Sequence, residues 1–378
     1  MSQPTQPSLF DALALRGLHL PNRLVVAPMT RMSATAEGVP TETMQRYYAG
    51  YARGGFGLIV TEGIYVDRAW SQGYAHQPGL TDVAQAAAWR KITDAVHAAG
   101  GRIAAQLMHA GALAQGNRFR MDTVGPSAVA PRGKQMEVYA GKGLYPTPRA
   151  MDADEIARAI EGFAHAARLA RDVAGFDAVE IHGANGYLID QFLTDYTNQR
   201  QDGWGGDLTR RLRLAEDVVA AVRAAVGPDF PVGIRISQGK VNDFTHKWPE
   251  GVAGAHTVFA RLAATAVDYV HVTEYEAWKP AFAEDPRSLV QLAREAAPGL
   301  PILANGNLAD PARAVEVLEQ GADAITLGRG ALANPDWPRR VRDGHAPRAF
   351  EPAVLSPLGD IKPAELALRE GIPLMDGA

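Results

Sequence analysis

Eight short apolar runs, each followed by a segment of helical periodicity, constrain this chain more than anything else in it. The runs are Leu24–Thr30, Phe56–Gly63, Arg102–His109, Phe176–Gly183, Pro231–Ser237, Tyr269–Glu274, Pro301–Gly306 and Ala324–Arg329. Each is nearly continuous in apolar residues rather than alternating, which is the pattern of strands buried on both faces. Helical periodicity occupies Thr43–Arg53, Asp82–Ala99, Asp152–Ala174, Leu208–Val226, Pro249–Ala264, Arg287–Ala296, Pro311–Gln320 and Asn334–Arg342. Strand–helix alternation repeated eight times gives a parallel sheet, and eight units close into a barrel. The expected fold is therefore α/β: a single (β/α)8 barrel domain over residues 1–378.

Local chemistry supports the boundaries. Asp152 with Glu155 reads as a variant capping box, Asp310-Pro311 as a cap followed by proline at the first helical position, and Gly100-Gly101 as the end of the second helix. One connection is too long for a simple turn: residues 110–150 are rich in Gly and Pro and lack helical period. Loops of that length are usually functional or disordered. Since this one follows the third strand, it is expected to form a cap or lid with a hairpin over the barrel mouth. A second insertion, Asp190 to Asp207, follows the fourth strand. The tail, residues 355–378, shows no clear element.

Composition narrows the chemistry. The formal net charge is −4 and no Lys/Arg block occurs, which argues against a nucleic-acid partner. No apolar run reaches membrane-spanning length, and Met1–Pro7 lacks the form of a signal peptide, so a cytoplasmic location is expected. The chain has no cysteine. That excludes disulfides, thiolate catalysis, cysteine-ligated iron–sulfur clusters and cysteine-bound zinc. No metal site is assigned, and redox work would fall to an organic cofactor.

In such barrels the active site lies at the C-terminal ends of the strands. There the sequence places Pro28-Met29-Thr30, Thr61-Glu62-Gly63, Gln106 with His109, His182-Gly183-Ala184-Asn185, Arg235, Thr273-Glu274-Tyr275, Asn305-Gly306-Asn307 and Gly328-Arg329-Gly330. The loops after strands seven and eight are the recurrent phosphate site of this fold. Gly306, Gly328 and Gly330 would let backbone approach a phosphate, with Arg329 adding a contact; the same glycines also suit plain tight turns. Arg235 sits inside an apolar strand, where an unpaired charge costs on the order of several kcal/mol. Two readings stay open for it: a structural ion pair with a barrel carboxylate, or a cation set against a ligand that becomes negative. His182, Asn185 and Tyr187 fall at one strand end, where the flanking Gly183 and Gly186 permit a sharp turn. Two donors aimed at one oxygen make an oxyanion-type site, and a tyrosine holds its proton at pH 7.

These residues resemble the old yellow enzyme family of NAD(P)H:flavin oxidoreductases. The likeness runs from about residue 8 to 345, through Pro21-Asn22-Arg23, Ala27–Met32, Gly54–Gly63, Gln106–Gly111, His182–Leu193, Asn198-Gln199-Arg200, Trp204-Gly205-Gly206, Asn305-Gly306-Asn307, Leu327-Gly328-Arg329 and Asn334-Pro335. The resemblance implies an ene-reductase carrying FMN, reduced by NADPH or NADH. Pro28, Met29 and Thr30 would line the flavin, Gly63 and Gln106 would contact its ring, and Arg235 would face N1. Gly306, Asn307, Gly328 and Arg329 would hold the phosphate. His182 and Asn185 would hold the carbonyl or nitro oxygen of an electron-poor alkene. Hydride would pass from flavin N5 to the β-carbon, and Tyr187 would protonate the α-carbon. Trp278 and Tyr74 are candidate pocket walls. The resemblance leaves open whether the protein is a monomer or a homo-oligomer.

Departures cluster around the substrate. The segment after Phe350 lacks the tyrosine- and glycine-rich pattern of many relatives, and Ala112–Met136 and Tyr275–Trp278 are unusual. Flavin barrels that carry an iron–sulfur cluster need cysteines this chain does not have. A flavin-free barrel lyase, isomerase or sugar-phosphate binder has no use for Gln106, Arg235 and the His182/Asn185 pair together. A non-catalytic flavoprotein is the third alternative.

Overall fold

The computed structural model describes residues 8–373. Eight parallel strands close on themselves: β1 (Leu24–Val26), β2 (Leu58–Val60), β3 (Ile103–Met108), β4 (Ala178–Asn185), β5 (Val232–Lys240), β6 (Tyr269–Thr273), β7 (Ile302–Asn305) and β8 (Ala324–Leu327). Each pairs with the next, and β8 pairs with β1, so the barrel has no free edge. All eight expected strands are present. Around them lie α1 (Glu42–Arg53), α2 (Val83–Ala98), α3 (Ala153–Leu169), α4 (Arg213–Val226), α5 (Gly251–Ala263), α6 (Leu289–Ala296), α7 (Pro311–Glu319) and α8 (Trp337–Arg342).

The boundary chemistry operates as read. Asp152 and Glu155 form a reciprocal capping box on α3. Asp310 caps α7, with Pro311 in its first turn. Gly100, at φ +78°, follows the end of α2 in the left-handed region where glycine costs least. Two expected helices are interrupted. The third passes into a wide turn over Ala170–Ala174, and the fourth breaks at Leu212 between a short Leu208–Arg211 helix and α4.

Several elements lie outside the expected pattern. An antiparallel hairpin, Leu13–Leu15 with Leu18–Leu20, comes before β1. Its leucines pack with Val25, Leu58, Ala104, Ala178 and Leu303 near the strand starts, closing the barrel floor with apolar surface. The tail, expected to lack an element after Leu355, instead forms a helix, α9 (Pro363–Glu370), which packs on α1. Eight residues are too few to be helical alone; buried Glu365 and Arg369 tie this one to the body of the protein.

Residues 110–150 form short 3-10 turns at Gly111–Leu113 and Glu137–Tyr139, a bridge between Lys134 and Leu144, and a two-residue pairing of Val124–Gly125 with Arg149–Ala150. Among the described residues, no helix is long and apolar enough to cross a membrane.

Candidate active site

Strand register brings the polar side chains to one end of the barrel. His182 on β4 is level with Arg235 on β5, Arg235 with His271 on β6, Thr273 with Asn305 on β7, and Asn305 with Thr326 on β8. Side chains alternate along a strand, so residues at matched register converge on the interior.

The turn after β4 is the most elaborately held part of the site. Asn185 has φ +62° and Gly186 φ +89°, two successive left-handed residues that end the strand abruptly. Ser237 Oγ accepts the Asn185 amide at 2.8 Å, and Asp190 Oδ2 accepts the Gly186 amide at 2.6 Å. Lys240 Nζ in turn sits 2.9 Å from both Asp190 oxygens, a fully buried ion pair. Gln191 donates to the carbonyls of Gly186 (2.7 Å) and Ala110 (3.1 Å). Among the described residues the Asn185 side-chain amide makes no hydrogen bond, so it is free for a ligand.

His182 is buried, and its Nδ1 accepts the Ala184 N–H at 3.4 Å, which puts the ring proton on Nε2. Burial, then the charge of Arg235 and then His271 hold the imidazole well below its ordinary pKa. It is therefore a neutral donor. The Tyr187 ring meets the His182 ring edge-on at 4.9 Å, and the Tyr187 hydroxyl contacts that of Tyr74. Burial raises the Tyr187 phenol well above its usual value, more than the Tyr74 hydrogen bond lowers it, so the proton stays on oxygen at neutral pH.

Arg235 is buried and donates from one terminal nitrogen to Thr273 Oγ1 (3.1 Å) and Asn305 Oδ1 (2.9 Å). Burial lowers it to about 10 against the supporting charge of Glu180, so it remains a cation at neutral pH. Gln106 donates to Glu180 at 2.8 Å. The Gly63 carbonyl accepts from Gln77 Nε2 at 2.7 Å. Met29 packs against the main core, and Thr30 follows Pro28 on the segment leaving β1. Gly306, at φ +148°, and Asn307, at φ +54°, turn the chain after β7. Arg329 is exposed, its guanidinium 5.8 Å from the Phe350 ring.

Trp278 is half-buried against the outer core, and Arg313 of α7 stacks on it at 4.3 Å. Tyr74, in contact with Tyr187, stacks with Tyr139 of the 110–150 segment, their rings 4.8 Å apart; Tyr145 joins the same cluster. Tyr139 carried no sequence signal, because its loop has no period to place it. Glu180 and His271 carry the same sequence signal as Arg235, a charged or polar residue inside an apolar strand, whereas Lys240 lies beyond the expected end of its strand.

The profile of the NADH:flavin oxidoreductase / NADH oxidase family matches residues 8–347. A protein from Leishmania infantum described as a probable flavin mononucleotide-dependent alkene reductase is 37% identical over 364 residues, covering 93% of this chain and 95% of that one. The old yellow enzyme homologue of Zymomonas mobilis superimposes with a TM-score of 0.85 at 35% identity, over 98% of this chain and 100% of the other. Morphinone reductase in complex with tetrahydroNAD gives 0.83 at 34% identity, over 98% of each chain. The mouth fits an FMN. Among the described residues Arg235 Nε is a buried donor with no partner, the kind of group a bound acceptor would satisfy. At Gly328 an added Cβ would meet only ordinary van der Waals neighbours, Met29 Sδ at 3.8 Å and an Ala27 carbon at 4.0 Å, so that backbone is not crowded.

Proposed function

The chain belongs to the NADH:flavin oxidoreductase / NADH oxidase family, and from that premise we propose that it reduces α,β-unsaturated carbonyls, maleimides or nitroalkenes, with Tyr187 as the proton donor. It is an FMN-dependent oxidoreductase of the old yellow enzyme type, with NADH or NADPH as electron source. FMN, once bound, supplies the hydride that the nicotinamide delivered to it.

The protein's own residues do the rest. Thr30, Gly63, Gln106 and Arg235 are assigned to the flavin ring together with Pro28 and Met29, and Gly306, Asn307, Gly328 and Arg329 to its phosphate. The Nε2–H of neutral His182 and the free amide of Asn185 hold the activating oxygen of the alkene. As charge develops on that oxygen the two donors stabilise it, by ~3 kcal/mol each if they act like other oxyanion donors. Tyr187 delivers its proton to the α-carbon. The 110–150 segment serves as a lid whose Tyr139 excludes water beside Tyr187. In this reading the protein works in the cytoplasm.

The observation that carries the proposal is the contact of His182 with Tyr187. A neutral imidazole donor and a phenol that keeps its proton share one buried turn. A flavin-free barrel enzyme has no need of that pairing. The test is a steady-state screen of an enone, a maleimide and a nitroalkene with NADH and NADPH on purified, FMN-loaded protein. Reduction of at least one class at its C=C bond is expected; a yellow protein that oxidises nicotinamide but reduces none of the three overturns it.

A further inference from the structure

Glu180 lies on β4 two residues before His182, so both side chains point into the barrel. It is fully buried. Its Oε1 accepts Gln106 Nε2 at 2.8 Å, and its Oε2 lies 2.9 Å from His271 Nδ1. His271 Nε2 is 2.8 Å from Thr326 Oγ1, and the Tyr269 hydroxyl is also buried beside the carboxylate. Burial pushes the Glu180 carboxyl up, while the hydrogen bonds from His271 and Gln106 and the charge of Arg235 favour the carboxylate. Burial also holds His271 low, so it is neutral. Its Nδ1–H donates to Glu180 and its Nε2 accepts from Thr326. Glu180 is therefore a fixed anion beneath the Arg235 cation. Among the described residues the two form no ion pair, and Arg235 is oriented by Thr273 and Asn305 instead.

An anion in a medium of low dielectric acts across several ångströms. The geometry points to Glu180, locked by Gln106 and His271, as a positioning residue that tempers the positive field Arg235 presents to the FMN and so sets the flavin's reduction potential. This rests on the assignment of Arg235 to the flavin edge that becomes negative on reduction. The two readings of Arg235 left open by the sequence then merge. It has a carboxylate counter-charge inside the barrel, held at a distance that leaves its Nε free.

Glu180→Gln tests the charge while keeping the shape. Gln106 still has an amide oxygen to donate to. The new amide nitrogen can donate to His271 Nδ1 once the imidazole proton moves to Nε2, because Thr326 can turn its own proton to the Ala304 carbonyl, 3.2 Å away. In the FMN-loaded E180Q protein the midpoint potential is expected to rise, with the reduced-to-oxidised ratio at fixed potential up about tenfold, ~30 mV for a two-electron couple. Glu180→Asp keeps the charge and should stay within about threefold of the parent ratio. An unchanged potential in E180Q, or equal shifts in E180Q and E180D, overturns the inference. If E180Q does not fold, redox-difference infrared spectra of the parent and E180D proteins decide. An ionised carboxylate band that moves on flavin reduction and differs between the two supports it, whereas a protonated-acid band in both redox states overturns it. Parent protein that binds no FMN overturns the cofactor reading and this inference together. Bound FMN with an unshifted E180Q potential overturns this inference alone.

Discussion

Glu365 closes a two-pronged ion pair on Arg31, with Oε1 2.6 Å from one guanidinium nitrogen and Oε2 2.8 Å from another, across 334 positions of sequence. Arg31 is fully buried and also donates to the carbonyls of Gly359 and Asp360. Its own amide is accepted by Glu62 at 2.9 Å. Since Arg31 follows Thr30, the tail helix anchors the segment assigned to the flavin. The tail also reaches the 110–150 segment, where the Gly359 amide donates to the Val138 carbonyl at 2.8 Å.

Glu365→Ala should therefore be costly. Removing one partner leaves a buried guanidinium without its counter-charge, a loss of ~3–5 kcal/mol. The urea unfolding midpoint is expected to fall accordingly, and a change below ~1 kcal/mol would show that solvent reaches Arg31.

The two tyrosines in hydroxyl contact should separate cleanly by role. Tyr187→Phe is expected to slow alkene reduction by ~10²–10⁴-fold, the usual span for a lost general acid, with flavin reduction by nicotinamide within about threefold. Tyr74→Phe removes only the partner and should cost less than about tenfold. Stopped-flow measurement of each half-reaction distinguishes them, and equal losses in both halves for Y187F would make Tyr187 structural.

His182 gives a pH signature. The folded protein keeps it neutral because burial, Arg235 and His271 depress its pKa, while the unfolded chain protonates it below about pH 6.5. Unfolding then takes up a proton, so this contribution to stability is present above pH 6.5 and is lost as pH falls from there toward the depressed folded value. One such group gives a slope of ~1.4 kcal/mol per pH unit. His182→Asn should flatten the acid limb of stability against pH by about that amount. Glu62, raised by burial to about 7, slopes the opposite way between its unfolded value and 7, but it does so in both proteins and cancels in the comparison.

The pocket wall is tested by exchanging two aromatics. Trp278→Ala should cost ~0.5–1 kcal/mol through the lost Arg313 stacking and leave phenol binding, read as a charge-transfer band, within about twofold. Tyr139→Ala should weaken phenol binding by about tenfold or more, a lost aromatic contact of ~1.5 kcal/mol. The reverse order would put Trp278 at the pocket wall.

The sequence by itself determined the eight strand–helix units, the capping of α3 and α7, and the convergence of His182, Asn185, Tyr187 and Arg235 at the strand ends. Each of these is written in local periodicity or in a short run of neighbours. The tertiary structure alone decided what those residues touch. Tyr74 reaches Tyr187, and Tyr139 stacks on Tyr74, from segments with no period; Arg313 stacks on Trp278, and Lys240 braces Asp190 beneath the Asn185–Gly186 turn. The floor hairpin and α9 are too short to be stable alone and exist because leucines at one end, and Glu365 with Arg369 at the other, find partners hundreds of residues away. Hydrophobic period is a property of adjacent residues. Ion pairs and ring contacts depend on register and closure, which only the completed barrel fixes.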